Sequence, residues 1–379
     1  MSRERLEHYL EAIDESPPGR DRNGLLELAI NEADTLGDAE CGFDLRMQLI
    51  ETCFFDGTSD RGIAAFAWCL KHCDRNPRPN LTYTILWRYK WVLIALQWLP
   101  QISIAKILEM IDDMGERATK AGYGPRPVHY LRWNTLTEAG DFEAAAKEMK
   151  LWRSAKKDGL QDCAACEMNS EVEYLSRRQF DEQTLECAEP ILRGRFSCAE
   201  VPELTLGHLI RPLMRLGRFE EAEKHAVRGY RMVTKNEDYI LPISQYLLLA
   251  TATNEWSRAV RIFTRHAEWS LITGMIGRRF YFNAAAAAFL EKLANEKRVP
   301  VEMIDAADDA PKKRRSHRRL RLTANHPCYR PDDRYDIGQL AEWYRHEAHQ
   351  LAAQFNQRNG NTHYSEWIEE TRQLAGLRP

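Results

Sequence analysis

No stretch of this sequence stays apolar long enough to cross a bilayer. Its most hydrophobic segment, Trp91-Val92-Leu93-Ile94-Ala95-Leu96-Gln97-Trp98-Leu99, is about half a span and stops at Pro100. There is no excess of basic charge either. Lys and Arg number 53 against 56 Asp and Glu, a formal charge of -3, which argues against a chain built to coat nucleic acid. The amino-terminal stretch Met1-Ser2-Arg3-Glu4-Arg5-Leu6-Glu7 is charged and lacks the apolar core of a secretory signal. Nine cysteines, an odd number, then read as reduced thiols, and the expected setting is the cytoplasm without membrane attachment. Also missing are a P-loop, a G-x-S-x-G elbow and a dinucleotide fingerprint, so the sequence offers no catalytic signature. What it does contain, 44% hydrophobic and 29% charged residues at a mean hydropathy of -0.54, is the composition of an ordinary folded protein.

The main positive signal is internal repetition. A turn residue, an aromatic and then an alanine three places on recur as Gly140-Asp141-Phe142-Glu143-Ala144-Ala145, Gly217-Arg218-Phe219-Glu220-Glu221-Ala222 and Asn254-Glu255-Trp256-Ser257-Arg258-Ala259. A worn copy runs Gln179-Phe180-Asp181-Glu182-Gln183-Thr184. The phrases end at 145, 184, 222 and 259, steps of 39, 38 and 37 residues, and steps of 40 backward reach Ala105 and Ala65. Each period has room for two helices. In the clearest, Pro202 to Leu216 is the first, Gly217 turns the chain, and Phe219 to Val233 is the second. A small residue at the Ala222 position lets the two backbones approach. Neither helix buries its apolar face alone, so neighbouring hairpins must stack. Pro212, late in a first helix, removes a donor and predicts a kink.

Turn glycine, aromatic and alanine at Gly140/Phe142/Ala145, Gly217/Phe219/Ala222 and Trp256/Ala259 resemble the second-helix pattern of tetratricopeptide (TPR) repeats, with a period longer than the usual 34 residues. The resemblance covers about residues 60 to 295. It implies an all-α, right-handed superhelical array of antiparallel helical hairpins, a TPR-like solenoid with helical caps. Four segments follow: an N-terminal helical cap over 1–56, the array over 57–295, a charged linker over 296–335, and a helical pair over 336–379 that packs on the array. In the cap, helices are predicted near 3–15, 22–37 and 43–55. The linker holds acidic Asp305 to Asp309 and the basic run Lys312 to Arg321, which reads as a solvated surface segment, a protein contact or a phosphate contact. Asp336 with Gln339 three residues on is a capping-box arrangement, Asn359-Gly360 should end that helix, and Trp367 should anchor the last.

Two clusters have the residue types of metal ligands. Cys163 and Cys166 have C-x2-C spacing, and Cys198 precedes the next hairpin, so three thiolates converge if adjacent hairpins bring those starts together. Zinc needs four tetrahedral ligands and no second C-x2-C exists, which leaves two readings: a partial zinc site or three unligated thiols. His346, His349 and His363 lack the H-E-x-x-H pattern and read as solvated. A stripe of Trp87, Trp91, Ile94 and Trp98 at helical spacing reads as core.

In TPR arrays the first helices line a concave groove that receives peptides. Counting from the turn residues, the resemblance places Asn134 and Glu138, then Asn169, Glu173 and Arg177, then Arg211 and Arg215, then Ser244 and Leu248 on that face. Amides can bond a peptide backbone, and the guanidinium pair at i, i+4 suits an acidic group. The expected function is therefore a non-enzymatic scaffold or adaptor with a protein or peptide partner and no nucleic acid. A peptide-responsive regulator, or a zinc-stabilised or catalytic protein centred on the cysteines, is the alternative.

Overall fold

Helical periodicity dominates the sequence, and the computed structural model is helical throughout. It describes residues 3–17, 19–55, 58–296 and 320–377, and among these no residue lies in a strand. The chain divides into two compact units, Met1–Gln161 and Asp162–Pro379. The boundary falls inside the 57–295 span that the repeat phrase reads as one array.

The first unit runs α1 (Arg3–Glu15), α2 (Arg20–Leu36), α3 (Ala39–Phe55), α4 (Ser59–Arg75), α5 (Thr82–Leu96), α6 (Ile104–Lys120), α7 (Arg126–Ala139) and α8 (Phe142–Ser154), with consecutive helices packed together. Its core is built from Leu26, Phe43, Leu93, Ile107, Ile111, Leu131 and Trp133, among others. The aromatic stripe of α5 departs from expectation. Trp87, Trp91, Ile94 and Trp98 are only half-buried, and the buried face is Ile85, Leu86, Tyr89, Val92, Leu93 and Leu96. This helix is apolar around most of its circumference, so periodicity admits more than one stripe and packing chooses between them. Its Lys90 is buried as well, with Nζ donating to the Leu160 carbonyl at 2.9 Å.

The second unit contains α9 (Ala164–Arg177), α10 (Asp181–Leu192), α11 (Glu203–His208), α12 (Ile210–Arg215), α13 (Phe219–Val233), α14 (Ile240–Ala252), α15 (Trp256–Ile272), α16 (Ile276–Asn295), α17 (Ile337–Asn359) and α18 (His363–Leu374). The predicted first helix from Pro202 to Leu216 is broken at Leu209 into α11 and α12. Pro212 has no N–H to offer the carbonyl four residues back, and that carbonyl, on His208, accepts instead from Ser176 Oγ at 3.0 Å.

The four copies of the repeat phrase share one backbone device. Gly140, Gln179, Gly217 and Asn254 all take left-handed φ, at 78°, 56°, 70° and 59°. After each, the next N–H reaches back five residues: Asp141 to Leu136, Phe180 to Leu175, Arg218 to Leu213 and Glu255 to Ala250, at 2.8–3.0 Å. This is the Schellman helix ending. It explains why Gln and Asn serve where glycine is cheapest: the doubled hydrogen bonding holds a conformation that costs a side-chain-bearing residue about 1 kcal/mol. Five residues beyond each turn residue, Ala145, Thr184, Ala222 and Ala259 are fully buried, so the worn copy keeps a small residue there too.

The core of the second unit centres on α14 and α16. Ala284 to Ala288 make α16 slim enough for α14 and α17 to close on it. Asp336 caps α17 by accepting from the Gln339 N–H at 3.0 Å, and Gly360 ends it at a φ of 69°. Residues 297–319, which hold Asp305 to Asp309 and most of the basic run, lie outside the described residues. Past them, Leu320, Leu322 and Tyr335 are buried in this core, so that part of the expected linker is packed rather than solvated.

Candidate functional site

The inward positions expected from the repeat fall in both units. In the first, Asn134 on α7 is half-buried and Glu138 is buried. In the second, Asn169, Glu173 and Arg177 lie on α9, Arg211 and Arg215 on α12, and Ser244 on α14. Several of these face one common object, helix α18.

Arg211 is 4% exposed, and each of its three guanidinium nitrogens donates a hydrogen bond. Nε donates to Gln245 Oε1 at 2.9 Å, Nη1 to Glu370 Oε2 at 2.7 Å, and Nη2 to the Thr371 hydroxyl. Its guanidinium carbon sits 3.7 Å from the ring centroid of Trp367. One turn on, Arg215 reaches the other Glu370 oxygen at 2.5 Å, Asp181 Oδ1 at 2.6 Å and the Ser176 carbonyl at 3.0 Å. Arg177 bonds Glu173 at 3.0 Å and the Tyr281 hydroxyl at 2.9 Å, and Tyr281 meets Trp367 edge-on at 4.9 Å. The i, i+4 arginines thus straddle one carboxylate, as their fork geometry favours. That carboxylate belongs to the same chain.

Charge and burial oppose each other here. Burial raises Glu370, but Arg211 and then Arg215 outweigh it and hold the carboxyl below its usual range. Burial also pulls Arg211 down to about 10, with Glu370 resisting. Glu173 is likewise raised by burial and brought below its ordinary value by Arg177 and His208.

The remaining predicted positions of the second unit, Asn169, Ser244 and Leu248, are buried among neighbours. Asn169 Oδ1 accepts from Thr205 Oγ1 at 2.6 Å. Ser244 and Leu248 are fully buried, with Ser244 Oγ donating to the Leu241 carbonyl at 2.6 Å. Sequence reasoning found the arginines and Trp367 but not Glu370, Thr371, Gln245 or Tyr281. Glu370 and Arg211 are 159 residues apart, and no local pattern marks an acidic residue on a terminal helix as a partner.

The cysteines do converge. The sulfurs of Cys163, Cys166 and Cys198 lie within 4.8 Å of one another, the one such group of His, Cys, Asp or Glu side chains found among the described residues. Cys163 is the N-cap of α9, and its Sγ accepts from the Cys166 N–H at 3.5 Å. The histidine candidates do not form such a group: His346 and His349 are exposed, and His346 Nε2 meets Gln350 at 2.8 Å.

No protein-family model matches the chain, and no curated protein matches its sequence.

Proposed function

We propose that the protein is a non-enzymatic scaffold that receives a helical segment of a partner protein against the inner faces of its hairpins. A TPR-like, right-handed array is the frame in this reading, and the cytoplasm its setting. The observation that carries it is the way α18 is held. Trp367, Glu370 and Thr371 sit at i, i+3 and i+4, the spacing by which one helix presents anchors to a groove, and all three engage Arg211. A partner of matching chemistry has an aromatic followed three residues later by a carboxylate. The same observation favours a regulated form of the scaffold. A tethered helix competes at an effective concentration in the millimolar range, so α18 guards the seat and a partner must displace it.

The test uses a labelled peptide of residues 361–377 and two proteins, the full chain and a chain ending at Gly360 whose helicity is checked by circular dichroism. The shortened chain should bind the peptide saturably, the full chain far more weakly, and a peptide with Glu370→Lys not at all. A folded shortened chain that ignores the peptide would show that the seat serves only its own covalently attached helix.

A further inference from the structure

Of the nine cysteines, only Cys163 and Cys198 are exposed, and these two face each other. Cysteine behaves as a small hydrophobe and is normally buried, so an exposed pair converging from separate segments needs a reason. The surrounding structure positions them. Cys163 is fixed by capping α9, and Cys166 follows one turn later on the same helix. Cys198 comes from the loop before α11. Its N–H donates to the Val201 carbonyl at 3.0 Å, and Val201 is buried in a small cluster with Ala165 and Ile191. The loop is therefore anchored by its neighbour while its sulfur stays at the surface.

We infer that Cys163, Cys166 and Cys198 form a zinc site with one open coordination position at the start of α9. Thiolates are the ligands that select zinc among the common divalent ions. Zinc–sulfur bonds of about 2.3 Å at tetrahedral angles place sulfurs about 3.8 Å apart. A cluster already within 4.8 Å closes to that spacing by side-chain adjustment alone. Binding releases thiol protons and leaves the three thiolates and the zinc with a net negative charge, which the backbone N–H groups at the first turn of α9 favour. With three protein ligands, two of them exposed, the fourth position belongs to water or to a ligand brought by another molecule. That makes the site exchangeable rather than a closed structural cage. It would also tie the 195–201 loop to α9. This inference does not depend on the helix-binding reading.

The experiment titrates the full chain, kept reduced, with Co2+ and then Zn2+. One Co2+ per chain should bring up the thiolate-to-cobalt charge-transfer band, and Zn2+ should bleach it. Zinc should also protect Cys163 and Cys198 from alkylation, read by peptide mass spectrometry. Cys198→Ser should weaken binding roughly 100-fold, since each ligand supplies a share of the whole. Because Cys198 is exposed in a loop, the variant should keep its circular dichroism spectrum, and Cys328→Ser should bind as the parent does. Absence of the charge-transfer band, unchanged alkylation with zinc, or undiminished binding by Cys198→Ser would overturn the site.

Discussion

Both units join their helices with arginine–carboxylate pairs, but the carboxylates sit at different depths. In the first unit Arg46 pairs with Asp34 at 2.6 Å, Arg88 with Glu51 at 2.5 Å and Arg117 with Asp74 at 2.5 Å, and the acidic partners are 43%, 54% and 48% exposed. In the second unit the Arg211–Glu370 pair is 5% and 18% exposed, and Arg215–Asp181 is 15% and 14%. The same chemistry does different work. An exposed pair trades water for a partner at little gain. A buried pair contributes modestly as a whole but makes loss of either member costly, because the survivor is stranded away from water. The first unit is laced from outside, whereas the second keeps α18 in place by making its absence expensive.

The largest expected effect follows from that contrast. Glu370→Ala leaves Arg211 without its carboxylate and should destabilise the second unit by about 3 kcal/mol or more. Asp74→Ala should cost the first unit less than about 1 kcal/mol, because Arg117 is 29% exposed and keeps Asp113 as a second partner. Urea melts followed by hydrogen exchange, with peptides assigned to each unit, separate the two. Equal losses would mean that depth does not decide the value of these pairs.

Close helix contacts sharpen the comparison. A Cβ added at Gly207 would lie 2.5 Å from the Pro242 Cβ and 2.9 Å from its Cα, whereas one at Gly115 would meet only a Val128 methyl, at 2.6 Å. Backbone cannot step aside as a methyl can. Gly207→Ala should therefore cost about 2 kcal/mol through overpacking. At Gly115 the gain in helix propensity, about 1 kcal/mol, should offset most of the clash. Comparable urea midpoints for the two variants would contradict this.

Acid sensitivity is a smaller, graded effect. In the second unit burial lowers His266 to about 3, helped by Arg265. The folded state keeps this ring neutral while the unfolded chain takes up a proton below its ordinary 6.5, so stability is lost as pH falls from 6.5 toward 3. Glu200 pulls the other way. Burial and Asp238 push it up to about 8, so its cost to the fold fades as pH falls from there to 4.5. Comparison of His266→Gln with the parent cancels that contribution. The stability difference between them should shrink by about 2 kcal/mol between pH 7 and 5. A difference that stays constant with pH would show that His266 does not govern the slope.

Much of the fold was legible because its signals are local. The predicted helices near 3–15, 22–37 and 43–55 correspond to α1, α2 and α3, and Phe219 to Val233 is α13 residue for residue. The repeat phrase located four of the Schellman turns, even where Gln179 and Asn254 replace glycine. The misreading of α5 has the same root in reverse. Where a helix is apolar nearly all round, periodicity loses its power to choose a face, and Trp87 and Trp91 end on the flank.

The sequence by itself determined the helices, their turns and caps, the Pro212 kink and the candidate side chains, since each follows from backbone sterics and hydrogen bonds within a few residues. Only the tertiary structure decided which of those side chains meet. Arg211 finds Glu370 and Trp367 across more than 150 residues, and Cys198 finds Cys163 from the next hairpin. Such encounters depend on how apolar faces pack. Packing is a property of the whole unit; it leaves no local mark on an acidic residue, and the C-x2-C spacing that marks two of the thiols does not say that they meet the third.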